Sequence, residues 1–255
     1  MSHKRGFAVT SSLRSLALGL FSLTVLDAGG AGASIVRPET FKCPIGGEEF
    51  QSLVVRSGYQ QGQRLDLRPY GMIVSPIPLP QCSGNGFVMY KDEFSDEELE
   101  KLKPIVASKD YQAIRKIHRT YYLAAFLEEK MGTSDSTLAA YYLRASWQVE
   151  GGWGPRRTLE KLTRQERNLL VRYRTLALEK LDRALAHETR GSEDWWRSAI
   201  LAAELERLLG RFAGAQKRLS ELPAAEASEG QRSAMTKIRN LAAAGNAQPA
   251  AQGSD

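Results

Sequence analysis

Two cysteines and three histidines are all that a chain of 255 residues offers in soft donors, and no C-x-x-C, no H-x-x-x-H, no glycine-rich phosphate loop and no G-x-S-x-G elbow occurs. Each absence removes a class of chemistry. A structural zinc centre takes four sulfur or nitrogen donors in a tetrahedron, and thiol–disulfide oxidoreductases work through a C-x-x-C pair with a tuned thiolate. Cys43, in FKCPIGGEEF, and Cys82, in PLPQCSGNGF, are each half of such a knuckle, because Gly46 and Leu79 stand where the second thiol would be. Adjacent carboxylates at Glu48-Glu49, Glu97-Glu98 and Glu128-Glu129 point away from each other on a helix and mark a solvated face. A non-enzymatic protein is the expectation.

Long apolar runs are missing too. Leu16–Leu26 spans eleven residues, against the roughly 20 needed to cross a bilayer. Preceded by Lys4, Arg5 and Arg14 and followed by Ala31-Gly32-Ala33, it has the three zones of an export signal. Residues 1–33 are therefore read as a signal peptide, and no cysteine at the cleavage point offers a lipid anchor. The mature chain is expected to be periplasmic or secreted, without stable membrane insertion. Its 222 residues keep a formal charge of +4 out of the +6 of the whole chain. That basic balance, with a pI near 9.3, suits nucleic acid in the cytosol, but an exported protein meets other polyanions. No nucleic-acid partner is expected.

Composition changes near residue 95. Residues 34–94 are rich in proline, glycine and β-branched residues, with runs such as Ser52–Val55 and Phe87–Tyr90 that read as short strands. The prolines of Met72–Pro80 make that stretch an extended edge or a loop. From Ser95 the pattern turns helical, opening on a Ser95/Glu98 capping box. Tyr111, Ile114, His118, Tyr121, Tyr122 and Ala125 recur along one helical face, and a second helix carries Leu138, Tyr142, Ala145 and Trp147 up to Gly151-Gly152. A helical block over 158–188 has a second capping box at Thr163/Glu166, so either the helix starts there or a shorter one precedes it. Helices near 193–209, 213–222 and 228–243 follow, and 245–255 reads as a disordered tail.

Gly210, Phe212, Ala215, Leu219 and Ala203 fall at the offsets of one tetratricopeptide unit, in which glycine closes the turn and small residues let helices approach. TYYLAAFLEEKMG with LAAYYLRASW repeats the rhythm. The fold expected is α+β, mostly α: a β-rich module over 34–94 packed on a tetratricopeptide-like helical domain over 95–244.

Taken in order, CPIGGEEF, PQCSGNGF, LAAYYLRASW and LERLLGRFAGAQKRL, across residues 41–222, resemble the bacterial domain of unknown function family 2225. The resemblance implies an N-terminal zinc ribbon of CPxCG type joined to a helical, tetratricopeptide-like region, and no known activity. At Gly46 and Leu79 this chain departs from the ribbon's ligands, so zinc is lost and no cofactor is expected. Ribbon geometry would set the two knuckles face to face. In an oxidising compartment Cys43 and Cys82 would then form a disulfide, closing a loop of about 40 residues for about 4 kcal/mol in the chain-entropy estimate. The alternatives are two free thiols, or a residual metal site completed by His118 or His187.

Interaction, then, is the expected role, with an unidentified protein or peptide of the cell envelope as partner. Trp153 and Trp195, near helix ends, and Arg156 and Arg157 are the candidate contacts, since Trp and Arg dominate binding hot spots. Tyr121, Tyr122, Tyr142, Trp147 and Trp196 fall on core-like faces. The run Arg156, Arg157, Arg164, Arg167, Arg172 and Arg174, interleaved with Glu160 and Glu166, reads as a solvated helix.

Overall fold

The computed structural model describes residues 35–151 and 159–253; the expected signal segment lies outside them. Strand β1 (Ile35–Lys42) pairs antiparallel with β2 (Glu49–Ser57), setting Phe41 opposite Phe50 and Lys42 opposite Glu49. Valine and threonine at 36, 40, 54 and 55 suit a pleated, half-buried ribbon. β3 (Tyr59–Gln63) pairs antiparallel with β4 (Pro69–Met72). Phe87–Tyr90 is not a strand; Val88 makes one isolated bridge with Gln81. Met72 closes β4, and the prolines beyond it keep 73–80 out of regular structure.

The remainder is helical: α1 (Asp96–Ala107), α2 (Lys109–Ile114), α3 (Thr120–Lys130), α4 (Asp135–Gly151), α5 (Arg164–Leu185), α6 (Glu193–Leu208), α7 (Phe212–Ser220) and α8 (Glu229–Ala243). Among the described residues, eight helices and two small sheets near the N-terminus make the protein α+β, mostly α. Both expected capping boxes form. Ser95 Oγ accepts from Glu98 N while Glu98 Oε2 accepts from Ser95 N, and Thr163 and Glu166 do the same. The second box therefore starts α5 itself, with a single 3₁₀ turn, Leu159–Lys161, ahead of it. A third box, Ser228/Gln231, starts α8.

One expected helix is two. The apolar face traced from Tyr111 to Ala125 breaks between α2 and α3, where Arg119 turns extended. His118 sits in the break, its Nδ1 2.5 Å from Tyr173 Oη and its ring stacked 3.8 Å from that of Tyr122. That tertiary bond, together with stacking, competes with helix continuation and wins, as packing commonly does over local propensity.

Three apolar cores carry the fold. Knuckle residues Cys43, Phe50, Cys82 and Phe87 pack with Leu102, Tyr111, Leu123 and Leu127 of α1–α3. A second core joins α3 to α6 and buries Tyr121, Tyr122, Tyr142 and Trp147. A third, around Trp196, Ala203, Leu219 and Ile238, joins α6 to α8 and takes in Leu65 from the turn between β3 and β4. Gly210, at φ +74°, lies in the turn between α6 and α7, and Ala203 and Ala215 are fully buried.

The chain's end corrects an expectation. Residues 246–253 are not disordered: Ala251 bridges Arg64 antiparallel, and the carbonyls of Asn246 and Gln248 accept from Arg207 Nη1 at 2.5 and 3.0 Å. Composition missed this because the tail is held through its backbone, which composition does not report.

Gly71 pins the second hairpin. Its φ is +128°, and a Cβ there would lie 2.6 Å from Tyr59 O and 2.7 Å from Gln61 N, both backbone atoms. Gly71→Ala is expected to cost about 1–3 kcal/mol, read as a lower melting temperature; an unchanged melting temperature would show that the hairpin does not depend on this geometry.

Candidate functional site

The two half-knuckles are built alike. In the first, Cys43 N donates to Glu48 O at 2.8 Å and Gly47 N to Cys43 O at 2.8 Å; in the second, Cys82 N donates to Phe87 O at 2.9 Å and Gly86 N to Cys82 O at 3.2 Å. Each turn needs a left-handed residue and each supplies glycine, Gly47 at φ +76° and Gly86 at +78°, where an L side chain is disfavoured. The turns bring Cys43 and Cys82 into disulfide contact, Cα atoms 5.6 Å and sulfurs 2.11 Å apart, and both residues are buried.

Polar side chains meet the knuckles on the side away from the core. Asn85 Nδ2 lies 3.7 Å from Cys43 Sγ, and its Oδ1 accepts from Phe87 N at 2.8 Å. Glu48 Oε1 accepts from Gly84 N at 3.2 Å, tying one knuckle to the other. A Cβ at Gly46 would fall 1.9 Å from Glu48 Oε2 and 3.1 Å from Asn85 Nδ2, so these two side chains fill the space into which a residue at 46 would project. Leu79 packs against the two neighbouring cores. Cys43, Cys82 and Glu48 place one donor atom each within 4.8 Å of one another. Three donors, two of them joined in a disulfide, do not fit a closed four-ligand zinc site. His118 is committed to Tyr173, and His187, just past the end of α5, is exposed and lines a surface pocket with Glu129 and Lys180.

A second polar constellation, which sequence reasoning missed, lies at the centre of the molecule. Arg64–Arg68 forms the turn between β3 and β4, with Leu67 N donating to Arg64 O at 2.9 Å and Leu67 itself at φ +65°. Its charged side chains point inward. Arg64 grips Asp66 through Nε at 2.8 Å and reaches Glu150 Oε2 through Nη1 at 2.7 Å. Arg68 Nη1 donates to the same oxygen at 2.9 Å, and its Nη2 donates to the carbonyls of Ser75 and Gly151 at 2.6 and 2.7 Å. Arg174 of α5 donates to Glu150 Oε1 at 2.5 Å, and Trp147 Nε1 to Asp66 Oδ2 at 3.1 Å. Arg174 is thus buried, correcting the reading of its run as solvated throughout. Arg172, in the same run, lies over the Tyr122 ring with its guanidinium carbon 5.6 Å from the centroid. Burial by itself would raise the Glu150 carboxyl, but Arg64, Arg174 and Arg68 hold it well below the usual carboxylate range.

Of the candidate contact residues, Trp195 is half-buried at the start of α6, edge-on to Trp196 at 5.2 Å and beneath Arg190 at 5.5 Å. Trp153, Arg156 and Arg157 lie outside the described residues. No helix among the described residues is long and apolar enough to cross a membrane.

A mostly helical α+β protein with two matched N-terminal knuckles and a buried arginine–carboxylate centre is the class that these features define. The chain belongs to the family described as an uncharacterized protein conserved in bacteria, DUF2225, whose model matches residues 37–244. No curated protein and no solved structure matches it.

Acid should destabilise the protein in two stages, one at His118 and one at the ionic centre. Burial, and then Arg172, lower His118 from 6.5 to about 4, so the unfolded chain takes up a proton there first and stability falls as pH drops from 6.5 toward 4. Glu150, lowered from 4.5 to about 2, contributes stability above its unfolded value that is lost as pH falls from 4.5 toward 2. Glu150→Gln is expected to cost about 3–5 kcal/mol near neutral pH, since it leaves buried guanidiniums unpaired, and to flatten the lower stage. Thermal melts of both chains across pH 2–8 check this; parallel curves would remove Glu150 from the account.

Proposed function

We propose that this is an exported, non-enzymatic binding protein of the cell envelope, with a disulfide-closed β module beside a tetratricopeptide-like helical domain that takes a protein or peptide partner. The observation that carries the reading is the succession of helices from α3 to α8, each packed on the next, with fully buried alanines at 203 and 215 beside the turn at Gly210. Such stacking builds extended surfaces suited to peptides. The matched knuckles support a ribbon-derived module in which the Cys43–Cys82 bond stands in for metal, and an oxidising compartment favours that bond. His118, bonded to Tyr173 within the core, acts as packing rather than as a base. Trp195, and Trp153, Arg156 and Arg157 on the segment before α5, remain the contacts we would substitute first.

Intact mass under non-reducing conditions, measured on protein recovered from the periplasm, is expected to give a chain starting at Ser34 with no free thiol. Mild crosslinking followed by pull-down is expected to recover an envelope protein, and recovery of no partner even at low salt would sink the binding role.

A second reading, a redox- or metal-responsive protein, has one specific observation in its favour: Glu48 beside both cysteines, where two-electron reduction of the disulfide, with uptake of two protons, would leave two thiols next to a carboxylate. One zinc and two thiols per chain in the periplasmic protein would establish it over the first; neither zinc nor thiol would end its metal branch.

A further inference from the structure

The seating of the C-terminal tail exceeds what its side chains explain. Asn246–Gly253 carries no charge and no large apolar side chain, yet five of its backbone atoms are held by residues outside it. Arg207 Nη1 donates to the carbonyls of Asn246 and Gln248, Leu65 N to Ala250 O at 2.9 Å, and Lys237 Nζ to Gly253 O at 2.9 Å. Gln252 N donates to Gln63 O at 2.8 Å, and Gln248 N to Asn246 Oδ1 at 2.8 Å within the tail. Only the Ala250 methyl packs against the core around Leu65 and Trp196. The clamp itself is built. Arg207 is fully buried, and Glu204 holds its Nε and Nη2 at 2.7 and 2.6 Å, leaving Nη1 aimed at the tail's carbonyls. Strand-edge hydrogen bonds that read the backbone, with a shallow contact for one side chain, are the physics of strand-addition peptide sites.

We infer that the groove formed by Gln63–Leu65, Arg207 and Lys237 is a binding site for extended, uncharged peptide segments with a small residue at the Ala250 position, and that the tail is its resident occupant in cis. This rests on the peptide-binding reading above and gives it a location and a ligand chemistry. A tethered segment acts at an effective concentration near millimolar, so a partner segment enters when the tail's own hold is weakened or when it brings further contacts.

The test uses the full chain and a fluorescently labelled peptide of residues 246–253. Gln252→Pro removes the N–H that donates to Gln63 O and keeps the preceding residue extended, so it weakens the tail without touching the groove. The peptide is expected to bind Q252P at least about tenfold more tightly than the unaltered chain, whose tail competes in cis. Peptides carrying Ala250→Glu or Gln252→Pro are expected not to bind. Equal binding to both chains, binding to neither, or undiminished binding of the A250E peptide would each overturn the inference. Should Q252P fail to fold, judged by circular dichroism, a protease site placed after Gly245 and cut in the folded protein supplies the same measurement as exchange of the severed tail for labelled peptide; a severed tail that never exchanges overturns it. The two proposals fail separately: a crosslinked partner whose capture is unchanged by saturating tail peptide removes the groove and leaves the binding role, whereas peptide binding with no envelope partner does the reverse.

Discussion

Everything central in this protein is arranged around one carboxylate. Glu150, at the last turn of α4, accepts from Arg64, Arg68 and Arg174, so the end of one helix, the middle of another and the tip of a β-hairpin meet at two oxygen atoms. Burying such charges is expensive, and a buried ion pair is weak evidence of net stabilisation. Its effect here is on arrangement. Arg68 also caps the carbonyl of Gly151 and Arg174 reaches that of Leu208, so the centre collects the C-terminal ends of α4 and α6 as well. The turn that delivers Arg64, Asp66 and Arg68 requires Leu67 in the left-handed region, a conformation costing about 1–2 kcal/mol for a residue with a Cβ. The bonds it permits offset that cost.

The same turn couples regions that are far apart in sequence. Arg64 binds Glu150 with its guanidinium while its backbone bridges Ala251. Leu65 places its side chain in the core of α6–α8 while its N–H holds Ala250 O. Hairpin tip, ionic centre and tail therefore share two adjacent residues, and any displacement of the tail is felt first at the residue that also grips Glu150.

How much of this was legible in the sequence depended on range. Capping boxes at Ser95 and Thr163 are local chemistry, and they marked the starts of α1 and α5. Gly210 and the alanines at 203 and 215 showed a helix pair for the same reason. The break at His118 was not readable, because its cause, Tyr173, lies 55 positions away. The run Arg64–Arg68, RLDLR, drew no reading at all. Charged residues alternating with leucine suit a strand with its charges in water, whereas here both sets are drawn inside, the leucines to two separate cores and the arginines to Glu150. Nothing local distinguishes those cases; only the distant carboxylate does. The knuckles were legible as broken motifs, but the side chains that fill the vacated space were not.

That filling has a consequence for the routes open to the protein by mutation. A cysteine placed alone at 46 displaces the Glu48 carboxylate, and one placed alone at 79 withdraws a leucine shared by two cores. A four-thiolate centre thus requires two substitutions, one that moves Glu48 aside and one that gives up core packing at Leu79.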